Sequence, residues 1–142
     1  MGPRVYSPRE ATSAIPDLIR IFEDIDRIKD RLKQVKSKMD VLEMIWGDEL
    51  QAETNPDHRE HIHYLEEIER AKKDYDTATR KFADLETVVK SVEQGLVDFY
   101  GVIENRLVFL CWRRGEKAVE YYHQLEDGFP GRQPIPAEEL AR

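Results

Sequence analysis

Apolar residues return along the first third of the chain at Ala11, Ile15, Leu18, Phe22, Ile25, Ile28, Leu32, Val35, Met39 and Leu42. Steps of three and four alternate, with one extra three between Ile25 and Ile28; this is the stripe of a helix face with a local drift. The start of the helix is well marked. Ser7 and Glu10 have the spacing of a capping box, Pro8 suits the first helical position, and Tyr6 and Ala11 are placed for a hydrophobic staple. Such a cap contributes about 1 kcal/mol. Pro16 lacks an amide proton and crowds the turn before it, so it predicts a kink or a separate first two turns. Trp46-Gly47-Asp48 closes this helix, read as residues 7–46.

A polar loop follows to Asn55-Pro56-Asp57, with Asp57 as a cap. A second stripe at Ile62, Leu65, Ile68, Ala71, Tyr75, Ala78, Phe82 and Leu85 predicts helix two over 57–86. Each helix is apolar on one side, so neither is stable alone. They satisfy each other as an antiparallel hairpin with arms roughly 40–55 Å long, at about 1.5 Å per residue. A second copy would close a four-helix bundle, which makes a homodimer the expectation.

From about residue 87 the period changes. Thr87-Val88-Val89 is β-branched and opens a strand or irregular turn, although Val88, Val89 and Val92 also extend the helical stripe to Gly95, a fair helix cap. Leu96 to Tyr100 alternates around Asp98 and reads as a strand, and residues 101–105 read as a turn. Leu107 to Trp112 is six apolar residues without alternation, the signature of a strand covered on both faces. Helices would cover one face; the other needs the returning C-terminal loop or a partner subunit. Arg113-Arg114-Gly115-Glu116 reads as a second turn, and Ala118 to His123 as a third strand or a short helix. Pro130, Gly131, Pro134 and Pro136 predict an ordered, irregular tail. The expected fold is one domain over 1–142, mostly α within the α+β class. It comprises a long antiparallel helical hairpin and a small C-terminal antiparallel β-meander in a cap over 87–135.

Composition narrows the function. The net charge of −7 argues against a general affinity for nucleic acid or anionic membranes. There is no apolar run long enough to span a bilayer, and Met1-Gly2-Pro3-Arg4 lacks a leader core. Pro3 after Gly2 spoils an acylation signal. With a single cysteine, Cys111, and hence no disulfide framework within one chain, these features predict a soluble cytoplasmic protein.

Candidate chemistry gathers in the last third. Asp98, Arg113, Glu116, His123, Asp127 and Arg132 combine carboxylates, an imidazole and guanidinium groups. A carboxylate beside an imidazole can bind a divalent metal or move a proton, and arginines fix a phosphate or carboxylate through paired hydrogen bonds. The plainer reading is that Arg132 and Asp127 tie down a long loop and His123 caps a strand end. No metal-ligand or phosphate-loop signature is present, so no cofactor is expected, with a divalent metal as the exception the side chains allow. Cys111 would be a nucleophile only beside His123; inside an apolar run it reads as an inert buried thiol. His58 and His61, three apart at the start of helix two, could share a zinc or nickel ion, although a solvated first turn explains them as well. Arg27, Lys29, Arg31, Lys33, Lys36 and Lys38 make helix one locally basic. Phosphate binding is conceivable there, but a hairpin sets Glu66, Glu67, Glu69 and Asp74 alongside, and no aromatic residues interleave to stack bases.

The motifs Gly95-Leu96-Val97-Asp98-Phe99, Cys111-Trp112 with Gly115-Glu116, Tyr122-His123, and Gly128-Phe129 with Gly131-Arg132 and Pro134 resemble the prokaryotic domain-of-unknown-function 2203 family. The opening Tyr6-Ser7 with Glu10-Ala11 and Pro16 is similar to that family's start. The chain departs where the family places a glycine and Lys-Asp before the first motif: here Ser91 follows Lys90. The resemblance implies an architecture and no reaction. The leading expectation is therefore a non-enzymatic, self-associating interaction module with an unknown protein partner. The alternatives are a small metal-assisted enzyme or ligand-binding protein with its site in the cap, and an RNA- or ribosome-associated factor.

Overall fold

A computed structural model of the chain describes residues 2–142. Met1, the first residue of the stretch read for a leader, lies outside them. The elements in chain order are α1 (Pro8–Trp46), α2 (His58–Asp84), β1 (Val88–Ser91), β2 (Leu96–Ile103), β3 (Arg106–Arg113), β4 (Tyr121–His123), β5 (Gln133–Pro134) and α3 (Ala137–Leu140). The class is α+β and mostly helical. The chain divides into two compact units: Glu23–Thr79, and the N-terminal segment to Phe22 with Arg80–Arg142. No helix among the described residues is long and apolar enough to cross a membrane.

In the unit Glu23–Thr79, α1 and α2 run antiparallel. Arg31 meets Asp74 at 2.6 Å, His61 Nδ1 meets Met39 Sδ at 3.0 Å, and the Trp46 indole donates to Asp57 at 2.8 Å. Asp57 thus uses its carboxylate to receive the indole, where the sequence suggested a helix cap. The core is thin: Ile25, Val35, Met39, Leu42, Ala71 and Ala78 are buried. Two helices cover each other on one side only, so flanking apolar residues stay wet. Ile62 and Leu65 are exposed, and Val41, Met44 and Ile45 are 55%, 86% and 63% exposed.

The other unit carries a five-stranded antiparallel sheet in the order β1-β2-β3-β4-β5. Strands β2 and β3 pair from Leu96↔Arg113 to Ile103↔Arg106. Their turn is only Glu104-Asn105, with φ of 52° and 65°, the left-handed pair that matches the twist of a tight hairpin. Residues 101–103, expected as turn, are therefore strand. Gly101 suggested a turn, but its missing side chain serves packing: a Cβ there would lie 2.6 Å from Leu110 Cγ. On one face Val97, Phe99, Val108, Leu110 and Trp112 are buried, with Phe99 against Tyr6 and Trp112 against Phe22 at ring separations of 4.9 and 6.2 Å.

The predicted capping box is present. Ser7 N–H donates to Glu10 Oε1 at 2.8 Å, and Glu10 N–H to Ser7 Oγ at 3.1 Å. Helix α1 passes unbroken through Pro16 and does not split. Helix α2 stops at Asp84, two residues before its expected end. There Glu86 N–H returns to Ala83 O and Thr87 N–H to Phe82 O, a Schellman closure with Glu86 at φ 56°. Of the expected third strand, only Tyr121–His123 forms. The tail is more regular than predicted, because Gln133–Pro134 pairs with β4 and Ala137–Leu140 makes a helical turn.

Candidate functional site

Strand pairing decides what the second face of the sheet displays. Asp98 on β2 is opposite Cys111 on β3, Cys111 is opposite Tyr121 on β4, and Phe109 is opposite His123. Side chains two residues apart share a face. Asp98, Cys111 and His123 therefore emerge together, on the side away from Trp112 and Phe99. All three are buried, and their ligand atoms lie within 4.8 Å of one another.

Two sets of hydrogen bonds flank Cys111. His123 Nδ1 lies 2.8 Å from the carbonyl oxygen of Gln124, and Nε2 lies 3.0 Å from Asp98 Oδ2. A carbonyl only accepts, so Nδ1 carries a proton, and one further proton lies between Nε2 and Oδ2. The Cys111 sulfur lies within 4.8 Å of the Asp98 and His123 ligand atoms, and the Arg132 charge partly opposes the upward push on its thiol. Arg132 also grips Glu116 with two bonds of 3.1 and 2.6 Å. Glu116 in turn accepts from the Arg113 amide at 2.7 Å, while its carbonyl receives the Trp112 indole at 2.9 Å.

Burial raises the Asp98 carboxyl above the ordinary carboxylate range, and the nearby charges of His123 and Lys90 only partly oppose it. Burial, reinforced by the Asp98 charge, pushes the Cys111 thiol up to about 12. A thiol held there is no nucleophile at neutral pH. The arrangement can donate or accept a proton at His123–Asp98 and offers oxygen, nitrogen and sulfur donors to a cation.

A cavity of about 130 Å³ opens beside the trio, lined by Lys90, Leu96, Asp98, His123, Asp127 and Phe129, with Cys111 and Gly128 completing its wall. The segment between β4 and β5 supplies Asp127, Gly128 and Phe129 to that wall. Arg132 holds that segment in place, lying 4.0 Å over the Tyr121 ring and 4.3 Å over Phe129.

Of the site residues read from sequence, Asp98, His123 and Asp127 line the cavity, while Arg132 pairs with Glu116. Arg113 is exposed, with its guanidinium 5.7 Å from the Phe129 ring centre. His58 and His61 lie in the other unit. Their rings are 6.4 Å apart, with Nδ1 of His58 against Leu50 O and Nδ1 of His61 against Met39. The basic run of α1 has Arg31 paired to Asp74, as a hairpin requires. Lys90 was missed as a site residue. It follows the β-branched run, and only the bulged β1–β2 pairing brings it to this wall.

The chain belongs to the family described as "Uncharacterized conserved protein (DUF2203)", whose model matches residues 4–135. That span takes in both helices of the hairpin, all five strands and every residue of the cluster. Comparison with curated proteins and comparison with solved structures each give no match.

Proposed function

We propose that this is a small-ligand-binding protein whose site lies between the sheet and the segment 124–132. One observation carries the reading: Asp98, Cys111 and His123 converge, buried, on a cavity walled in part by the segment that a bidentate Arg132–Glu116 pair ties to the sheet. Burying ionisable groups is unfavourable, and an apolar trio at these positions would stabilise the sheet as well or better. Perturbed groups gathered at a cleft are what a binding or acid–base site requires. The test is an amide NMR titration with a panel of small anions and divalent cations. A binder should move the signals of residues 96–98, 111 and 121–129. Binders that move only other regions would overturn the reading.

A second reading, self-association through the hairpin, is favoured by a separate observation. Val41, Met44 and Ile45 are spaced three and four apart on α1 and stand exposed. A second copy of the hairpin suits this stripe, because burying its apolar side chains against the same face of a partner would remove them from water.

A further inference from the structure

We propose that Asp98, Cys111 and His123 form a site for a divalent transition-metal ion of the zinc type. The inference deepens the ligand-binding reading above and rests on it. Each residue offers a different donor atom, and these lie within 4.8 Å of one another on three adjacent strands. A tetrahedral zinc ion about 2.0–2.3 Å from each donor would hold them roughly 3.2–3.8 Å apart. His123 Nε2 and Asp98 Oδ2, at 3.0 Å, need to part by only a few tenths of an ångström to reach that spacing.

The surroundings point the same way. A metal-binding histidine commonly donates its second ring N–H to a carbonyl, which fixes the ring and frees the other nitrogen for the ion. His123 does so with Gln124. The Arg132 guanidinium acts electrostatically on the Cys111 thiol while paired to Glu116, so a positive group stands near the sulfur with its charge balanced. Three protein donors leave a fourth tetrahedral position, which Asp127 of the same cavity or a small ligand could fill. Thiolate with imidazole selects zinc, cobalt or related ions over magnesium and calcium, which prefer oxygen donors. On binding, the thiol proton and the proton between His123 and Asp98 pass to water, and nothing is oxidised or reduced.

Full-length protein, stripped with chelator and dialysed against cobalt(II), tests this directly. The expected result is one retained ion per chain, with tetrahedral visible bands and a near-ultraviolet thiolate-to-cobalt band. Cys111→Ser should abolish the near-ultraviolet band, and Asp98→Asn should weaken cobalt binding by about tenfold or more. His58→Ala with His61→Ala should leave both stoichiometry and spectrum unchanged. No retained ion, or a wild-type cobalt spectrum without thiolate character, overturns the inference whatever the variants do. If the cations fail while anions still move the signals of residues 96–98 and 121–129, the metal is wrong and the ligand site stands. If neither binds, both fall.

Discussion

Glu86 and Cys111 show how single residues here are held against their own preferences. Glu86 closes α2 at φ 56°, a conformation that costs a residue with a Cβ roughly 1–2 kcal/mol. Glu86→Gly removes that strain but frees the unfolded chain, so a net gain of about 0.5–1 kcal/mol is expected in urea unfolding. Cys111 keeps its proton to about pH 12 in the folded protein, whereas the unfolded thiol releases it near 9. Its contribution to stability is therefore complete below pH 9 and is lost as pH rises towards 12. In metal-free protein the loss should be at most about 1.4 kcal/mol per pH unit over that window. Comparing wild type with Cys111→Ala at each pH isolates it, since other groups titrate in both. The burial of Cys111 was legible, as its apolar neighbours announced it. The end of α2 was not, because a glutamate in a glycine's place carries no stop signal.

Among the elements, the β2–β3 hairpin sets the site, and its register depends on which residues make the turn. Reading 101–105 as turn hides the pairing; placing it at Glu104-Asn105 sets Asp98 opposite Cys111. The sequence supplied the residue types of the cluster but not this register, since neither turn position is glycine. Asn105→Gly should therefore stabilise the hairpin, by up to about 1 kcal/mol in thermal or urea unfolding. Gly101→Ala should do the opposite. Its Cβ would meet Leu110 carbons at 2.6 to 2.9 Å in a strand pair packed on the helices, an overpacking penalty of about 1–3 kcal/mol. Leu110→Val in the same chain should recover part of that loss, and a double-mutant cycle measures the coupling. The helices themselves were legible almost to their ends, because a one-sided apolar stripe and a complete capping box are local signals. Pro16 misled only in degree: a proline can remain in a helix whose flanking turns are buried, and Ala11, Ile15 and Leu18 are.

For the whole molecule, self-association and ligand binding are separable. If the hairpin pairs with a second copy, light scattering at micromolar concentration should give twice the chain mass, and Met44→Glu with Ile45→Glu should halve it. Cobalt uptake should persist in that variant, because no residue of the Glu23–Thr79 unit supplies a donor. A wild type that stays monomeric removes the dimer and leaves the site untouched. That the last third would carry the chemistry was legible in its mixture of residue types. What could not be read was how the returning C-terminal segment is tied to the sheet, because the contacts of Arg132 with Glu116 and Tyr121 join turns distant in sequence.

The N-terminal segment does more than lead into α1. The Tyr6 amide donates to the Tyr100 carbonyl at 2.7 Å, beyond the reach of β1, whose pairing with β2 stops at Asp98. Its hydroxyl donates to Leu85 O at 2.6 Å. A shortened chain starting at Ser7 would bare the Tyr100 carbonyl along a sheet margin already unpaired beyond Asp98, opening it to strand addition from a neighbour. Such a chain should clump on concentration even while its circular dichroism still reports folded helices, so purification tags and cleavage scars are best kept clear of the residues before Ser7.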